Sequence, residues 1–327
     1  MSLYSFFAEQ EYEKSLKSKD KLQRINGMVD WEKFRPLFDG VYKNDTVLGG
    51  RPNHDVVVML KVMVLQYVND LSDEAMEAAL HDRISFRNFI GFDTPIPDAR
   101  SIWVFRERLA ENQLYEKVWN ELISLLEADD FFDGSARIQD STTIHTQQGK
   151  KRASLERLAE KNGMPITYTK KQQAHIDNFS SWTCKNDQYS HGIKYHLLVD
   201  AVSKGIVDFR VTTASLHDSQ VMLAKEGEYD LFLDKGYVGC KNLPAGVTTH
   251  IPNRVYGGRE PGSEEKLLNK MMSGIRCRVE HVNGFLKNML HGDTDRYKRN
   301  HRMEVACMFK CMIYNVFRYE YLKRKAD

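Results

Sequence analysis

The chain has 327 residues, 42% hydrophobic and 28% charged, which is enough apolar side chain for a sizeable core and excludes disordered, collagen-like and coiled-coil compositions. At roughly 150 residues per domain, the length suggests about two domains. Lys+Arg 47 against Asp+Glu 45 leaves a net charge of only +2, so any surface for a polyanion must come from local clustering.

The opening stretch MSLYSFFAEQEYEKSLKSKDKL has a short apolar patch followed at once by charges, unlike a signal peptide, and secretion is not expected. VVVMLKVMVLQYV near position 60 is too short to span a membrane and contains Lys61, so no membrane partner is expected either. From about 53 to 127 the apolar residues recur at helical spacing. Ser72 is placed to cap DEAMEAALHD, Gly91 to end ISFRNFI, and Asp98 to cap a helix whose Ile102, Phe105 and Leu109 share one face, with Arg106 and Arg108 off it. A helical N-terminal domain over 1–130 is expected.

After Gly134 the period changes. ARIQDSTTIHT, HGIKYHLLVDA, GIVDFRVTTAS, YDLFLDKGY and VTTHIPNRV each read as strands, and two helical stretches follow from about 263 to the end. Strands followed by helices that must cover them make the second domain, 131–327, mixed α and β. Within it, residues 150–190 lack a sustained apolar period and form a basic insertion. Lys150, Lys151, Arg152, Arg157, Lys161, Lys170 and Lys171 against Glu156 and Glu160 give +5 between 150 and 171, which fits either a solvated loop with a short helix or a nucleic-acid contact. Cys184, Cys240, Cys277, Cys307 and Cys311 are scattered without zinc-site spacing and read as reduced cytosolic thiols.

Three acids stand in costly places. Aspartate packs poorly in strands, yet Asp140 shares side-chain parity with Ala136, Ile138 and Thr142, and Asp234 closes the run Leu231-Phe232-Leu233 before a glycine turn. A carboxylate beside a buried apolar face needs a charge partner, hydrogen bonds or a metal. The third acid lies in GIRCRVEHVNGFLKN, where Arg276, Glu280, Asn283 and Lys287 return to one stripe at 100° per residue while Val279, Val282 and Leu286 sit alongside to pack. That stripe alone also fits an exposed salt-bridged face. Together, two strand-end aspartates and a helical glutamate are hard oxygen donors of the kind that hold paired divalent cations, with Arg276 and Lys287 placed for phosphates.

Several ordered blocks between about 28 and 318 carry a resemblance. GRPNHDVVVMLKVMVLQYVNDLSDEAMEAALHDRISFRNFIGF and PDARSIWVFRERL come first, then QDSTTIHT, WTCKNDQYSHGIKYHLLVDA, VTTASLHDS and LDKGYVG, and finally IRCRVEHVNGFLK with its Arg-x₃-Glu-x₆-Lys spacing. Asp140, Asp234 and Glu280 are separated by 94 and 46 residues. The chain resembles the DDE transposases of bacterial insertion sequences, closest to the insertion-sequence-five type. The resemblance implies an RNase H-like α+β core behind a helical DNA-end-binding domain. It further implies Asp140, Asp234 and Glu280 as catalytic residues and metal ligands, and Mg²⁺ as cofactor with Mn²⁺ as substitute.

What it implies for the reaction is hydrolysis of a phosphodiester at an element's end, followed by in-line attack of the freed 3′-OH on target DNA. The implied partner is double-stranded DNA, both terminal inverted repeats and target, bound by a homo-oligomer at the bacterial nucleoid in the cytoplasm. Arg276, Lys287, Lys185, Lys194 and Arg106 are the candidate DNA contacts. Many relatives carry a Tyr three residues before the signature Arg, where this chain has Ser273, so any contact that needs that Tyr is in question. An inactive DNA-binding regulator and a nuclease on the same fold are the alternatives, the first opposed by the intact acids.

Read singly, Lys185, Tyr189, Lys194, His196, His217 and Asp218 fit structural roles, with His217-Asp218 the best placed for the metal rim because it directly follows a strand. His281 points away from the acid stripe and reads as packing or capping, and Trp103 and Trp182 read as core anchors. The basic runs RYKRNHR (296–302) and LKRK (322–325) fit either a solvated face or a phosphate-binding patch.

Overall fold

A computed structural model describes residues 3–15, 21–42, 52–146, 148–150, 158–159, 161–164, 166–185, 187–240, 242–252 and 262–326. The chain divides into two compact units, one of residues 1–131 with 308–327 and one of residues 132–307. Residues from Met308 onward join the helical unit through aromatic packing, Tyr67 stacking on Phe309 at 5.2 Å and Phe131 meeting Tyr319 edge-on at 5.7 Å.

In the helical unit the segments are α1 (Leu3–Ser15), α2 (Lys21–Met28), a 3₁₀ turn (Trp31–Phe38), α3 (Val56–Val68), α4 (Asp73–Asp82), α5 (Ile84–Ile90), α6 (Ala99–Glu111) and α7 (Leu114–Ala128). Helix starts follow local capping chemistry. Asp55 accepts from the N–H groups of Val57 and Val58, Ser72 from Ala75, and Asp98 from Ser101. Gly91 closes α5 at φ +100°, a conformation open to glycine. Helix α3 is buried almost all round, with every residue from Val62 to Tyr67 covered, so it is the unit's central helix. Ile102, Phe105 and Leu109 of α6 are buried as their spacing predicts.

The other unit is built on a sheet of β1 (Ala136–Thr146), β2 (Ser181–Lys185), β3 (Gln188–Asp200), β4 (Ile206–Thr213), β5 (Tyr229–Leu233), β6 (Val247–His250) and the two-residue β7 (Thr294–Asp295). The five expected strands are present, and β2 and β7 are additional. The order β4-β3-β1-β5-β6, antiparallel from β4 to β1 and parallel from β1 to β6, is the RNase H-like arrangement. β2 lies end to end with β4 along the same edge of β3, joined by a bond between the Ser181 and Thr213 hydroxyls. Gly192 sits at that junction with no room for a side chain, since an added Cβ would lie 1.9 Å from the Ile144 carbonyl oxygen.

One face of the sheet, carrying Ile138, Asp140 and Leu197, is covered by α9 (Ser263–Asn288) through Val279, Val282 and Leu286. Against the opposite face, Leu198, Leu231 and Leu233 pack with Val221, Leu223, Tyr229 and Tyr237. Gln139 fastens that layer: its side-chain amide donates to Val221 O at 2.7 Å and accepts from Leu223 N at 2.9 Å. The described part of the basic insertion contains the short helix α8 (Lys170–His175) and β2. Its Lys151, Arg152, Glu156, Arg157 and Glu160 lie outside the described residues. The chain ends in α10 (Asn300–Ala326). Among the described residues, no helix is long and apolar enough to cross a membrane.

Candidate active site

Strand register brings the two aspartates together. In the parallel pairing of β1 with β5, Gln139 lies opposite Leu233, so Asp140 and Asp234 are the next residues on adjacent chains, about one strand spacing (~4.8 Å) apart by backbone. Asp234 is the first residue beyond its strand and starts a 3₁₀ turn, its carboxylate accepting from Lys235 N at 2.6 Å.

Helix α9 supplies the rest. Arg276 Nη1 reaches Asp234 Oδ1 at 3.3 Å, and Asn283 Nδ2 reaches Asp140 Oδ2 at 3.5 Å. The helical stripe thus faces the sheet acids at two points, seven residues apart on the helix. Glu280 lies between those points and is exposed. Arg276 Nε and Asn283 Oδ1 are buried without a hydrogen-bond partner, leaving polar capacity unused beside the acids.

The electrostatics are those of crowded, desolvated acids. Burial pushes the Asp140 carboxyl up to about 6; the Ser141 backbone N–H and the Arg276 charge oppose this, while Glu280 and Asp234 add to it. Burial also lowers the Lys287 ammonium, with Asp293 and Glu280 opposing, Lys185 adding and Asp140 opposing. Lys185 and Lys287 therefore stand close enough to repel, and the Lys287 charge reaches Glu280 and Asp140. Among the described residues, no three His, Cys, Asp or Glu side chains are grouped closely enough to hold a metal ion as they stand. Asp234 instead caps its own turn and pairs with Arg276.

Two expected DNA contacts are engaged elsewhere. Arg106 is 4% exposed and forms a double contact with Asp73, at 2.8 and 2.6 Å, with Gln66 Oε1 at 3.3 Å. The guanidinium expected as a DNA contact is thus held inside the helical unit by Asp73. On the same helix, Arg108 lies over the Tyr42 ring at 4.5 Å and lines a cleft of about 220 Å³ with Arg100. Lys194 projects from the sheet face opposite Asp140, where its ammonium donates to Leu216 O at 2.7 Å and Asp218 Oδ1 at 2.9 Å. Its side chain is 14% exposed.

The sequence did not pair Lys194 with Asp218. Burial works to raise the Asp218 carboxyl, but hydrogen bonds from Lys194 and Ser141 hold it below the usual range. Beside it, burial pushes His196 down to about 4, so the imidazole is neutral, with Nε2 against Thr212 Oγ1 at 2.8 Å. Parity was the available signal: Ser141, Lys194, His196 and Thr212 share one face. His281 and Ser273 are exposed on α9, so the packing expected of His281 is absent. Trp103 is half-buried under the Arg100 guanidinium at 4.5 Å, and Trp182, also half-buried, meets His191 edge-on at 5.2 Å.

Two family models match the chain. Residues 10–108 match the family described as Transposase domain (DUF772), and residues 132–316 match the Transposase DDE domain. Among solved structures, the chain is similar to a piggyBac transposase in a synaptic complex with hairpin DNA, determined by cryo-EM. The two share 10% identity at a TM-score of 0.40, over 94% of this chain and 74% of that one. With the DDE domain spanning more than half of its length behind a second transposase domain, this chain belongs to the DDE transposases of insertion-sequence type.

Proposed function

We propose that the protein cuts DNA at the ends of an insertion sequence and joins the freed 3′ ends to target DNA, with Asp140, Asp234 and Glu280 as its catalytic acids. The observation that carries this reading is the parallel register that sets Asp140 and Asp234 side by side, with α9 laid across them. An Asp140 carboxyl raised first by burial and further by the Glu280 and Asp234 charges, with the Ser141 N–H and Arg276 opposing, belongs to a set of oxygen donors that suits a hard divalent cation. Mg²⁺, with Mn²⁺ as substitute, would be held by those three acids and would supply activation of the attacking oxygen and stabilisation of the leaving one.

The chain's own residues divide the remaining work. Asn283 orients the Asp140 carboxylate by its amide hydrogen bond. Arg276 neutralises Asp234 and, with Lys287 and Lys185, attracts the scissile phosphate. In the first step water attacks phosphorus and the bond to the 3′ oxygen breaks, leaving a 3′-OH; in the second, that oxygen attacks a target phosphate and displaces another 3′ oxygen. Double-stranded DNA is the substrate, and holding two ends at once calls for a homo-oligomer.

The test is cleavage and joining of DNA carrying the gene's own flanking ends, with Mg²⁺ or Mn²⁺, by wild type and Asp140→Asn. Metal-dependent 3′ cleavage followed by joining, lost in the variant, is expected. Binding without cleavage would make the protein a regulator, and cleavage without joining a nuclease.

A further inference from the structure

Two basic stretches have no part in the site described above: residues 150–171 of the insertion, and the run RYKRNHR before and into α10. The fold joins the end of the first to the second. The segment after α8, residues 176–180, lies against residues 298–302 and leaves a cleft of about 510 Å³ between them. Lys298, Arg299 and Arg302 line it, together with the amide-bearing Gln173, Asn178 and Asn300.

One acid, Asp177, also borders the cleft, but its charge is turned inward. It is 2% exposed, and its oxygens accept from Phe179 N at 3.3 Å, Ser180 N at 3.0 Å, Arg299 N at 3.1 Å and the Ser180 hydroxyl. The wall therefore presents three cations and several amides, while the carboxylate is consumed in holding the wall together. Asp177 N also donates to Gly149 O at 3.1 Å, and Gly149, at φ +74°, approaches so closely that an added Cβ would lie 2.6 Å from Asp177. A third segment is tied to the same hub.

Arg299 carries the clearest sign of a purpose. Its backbone is held at φ +75°, in the left-handed region that a long side chain rarely adopts, by the bond from its N–H to Asp177. Arg299 is exposed while its backbone is pinned, so its guanidinium is offered from a fixed base. Cations on the wall of a cleft whose lining carboxylate is turned inward suit a polyanion with regularly spaced charges.

We propose that this cleft is a binding site for the DNA phosphate backbone, in which Lys298, Arg299 and Arg302 contact phosphates independently of sequence. The site rests on the reading of the protein as one that acts on DNA. It adds a positioning surface for the duplex, built from residues outside the acid cluster.

Salt dependence of binding tests it, because each phosphate contact contributes about 0.9 to the slope of log K against log salt. The probes are a fluorescein-labelled duplex carrying the gene's flanking end and an unrelated duplex of equal length, titrated by anisotropy at several NaCl concentrations. Lys298→Ala combined with Arg299→Asn is expected to make the slope shallower by about 1.8, equally on both duplexes. Asparagine tolerates the left-handed backbone, so the variant keeps its fold. Lys298→Ala alone is expected to lower the slope by about 0.9, and Arg299→Lys to preserve it. Unchanged slopes in both Lys298 variants, with wild type binding DNA, would overturn the site alone. A wild type that binds neither duplex would overturn the proposed function as well.

Discussion

Arg276 of α9 meets Asp234 of the β5 end at 3.3 Å, and its charge also reaches Asp140. One guanidinium thus moderates two acids held on different strands. Replacing it by Ala is expected to lower strand cleavage by about 10²–10³-fold, the scale for losing one preorganised electrostatic contact. Arg276→Lys should recover part of the rate, since charge returns without the planar fork. The check is the single-turnover cleavage rate, with the Asp140 carboxyl followed by carbon NMR in metal-free protein. In Arg276→Ala that carboxyl should titrate higher than in wild type.

Asp140 also makes a prediction about stability. Its carboxyl is raised from 3.8 to about 6 in the folded protein, so between those values the native state holds the extra proton. Stability from this group is therefore present at low pH and is lost as pH rises toward 6 and above. In metal-free protein, Asp140→Asn should be more stable than wild type at pH 7, by on the order of 1–3 kcal/mol, and no more stable at pH 4. Urea unfolding at the two values decides it.

His196 works in the opposite sense. It is held neutral at about 4 against an ordinary 6.5, so the unfolded chain takes up the proton first as pH falls between those values. Its contribution is present at neutral pH and lost on acidification. His196→Gln should flatten the acid side of the stability profile, and thermal midpoints from pH 4 to 7 would show it.

Arg106 and Lys194 are expected to matter for folding and not for DNA affinity. Arg106→Met takes the guanidinium from Asp73 in a nearly closed site, leaving the Gln66 amide that donates to it at 2.7 Å, and should cost about 3 kcal/mol. Lys194→Met, whose pair is more exposed, should cost about 1 kcal/mol. Anisotropy titrations of the folded variants should reproduce the wild-type salt slope. A shallower slope for either would return it to the DNA interface.

Gln139→Leu removes the clamp on the layer behind the catalytic face. Two buried backbone groups, Val221 O and Leu223 N, would lose their partners, at a cost of about 2–4 kcal/mol in denaturant unfolding.

Much of this architecture is legible in the sequence. Ser72, Gly91 and Asp98 cap their helices as local chemistry dictates, and five strands follow from β-branched runs bounded by turn residues. The stripe of Arg276 and Asn283 followed from helical geometry alone. Pairing was the part that periodicity could not supply. Nothing in YDLFLDKGY says that Leu233 lies opposite Gln139, and the two-residue β7 is too short to have a pattern. The Arg106–Asp73 pair was equally hidden, because a polar residue off the apolar stripe reads as solvent-facing and Asp73 lies on a neighbouring helix. The cleft at Asp177 was illegible for a similar reason, since its two walls are far apart in the chain.

The continuity of α9 sets a rule for which length changes the protein can absorb. An extra residue inserted after Glu280 would turn everything beyond it by about 100°, carrying the Asn283 amide off Asp140 while Arg276 stayed on Asp234. Inserting four residues would bring the angle back to within about 40° but carry the distal groups about 6 Å along the axis. Neither phase nor reach can be repaired without the other. Insertions and deletions are therefore confined to either side of the span from Arg276 to Lys287, and length variation among copies of this gene belongs in the segments that flank the helix.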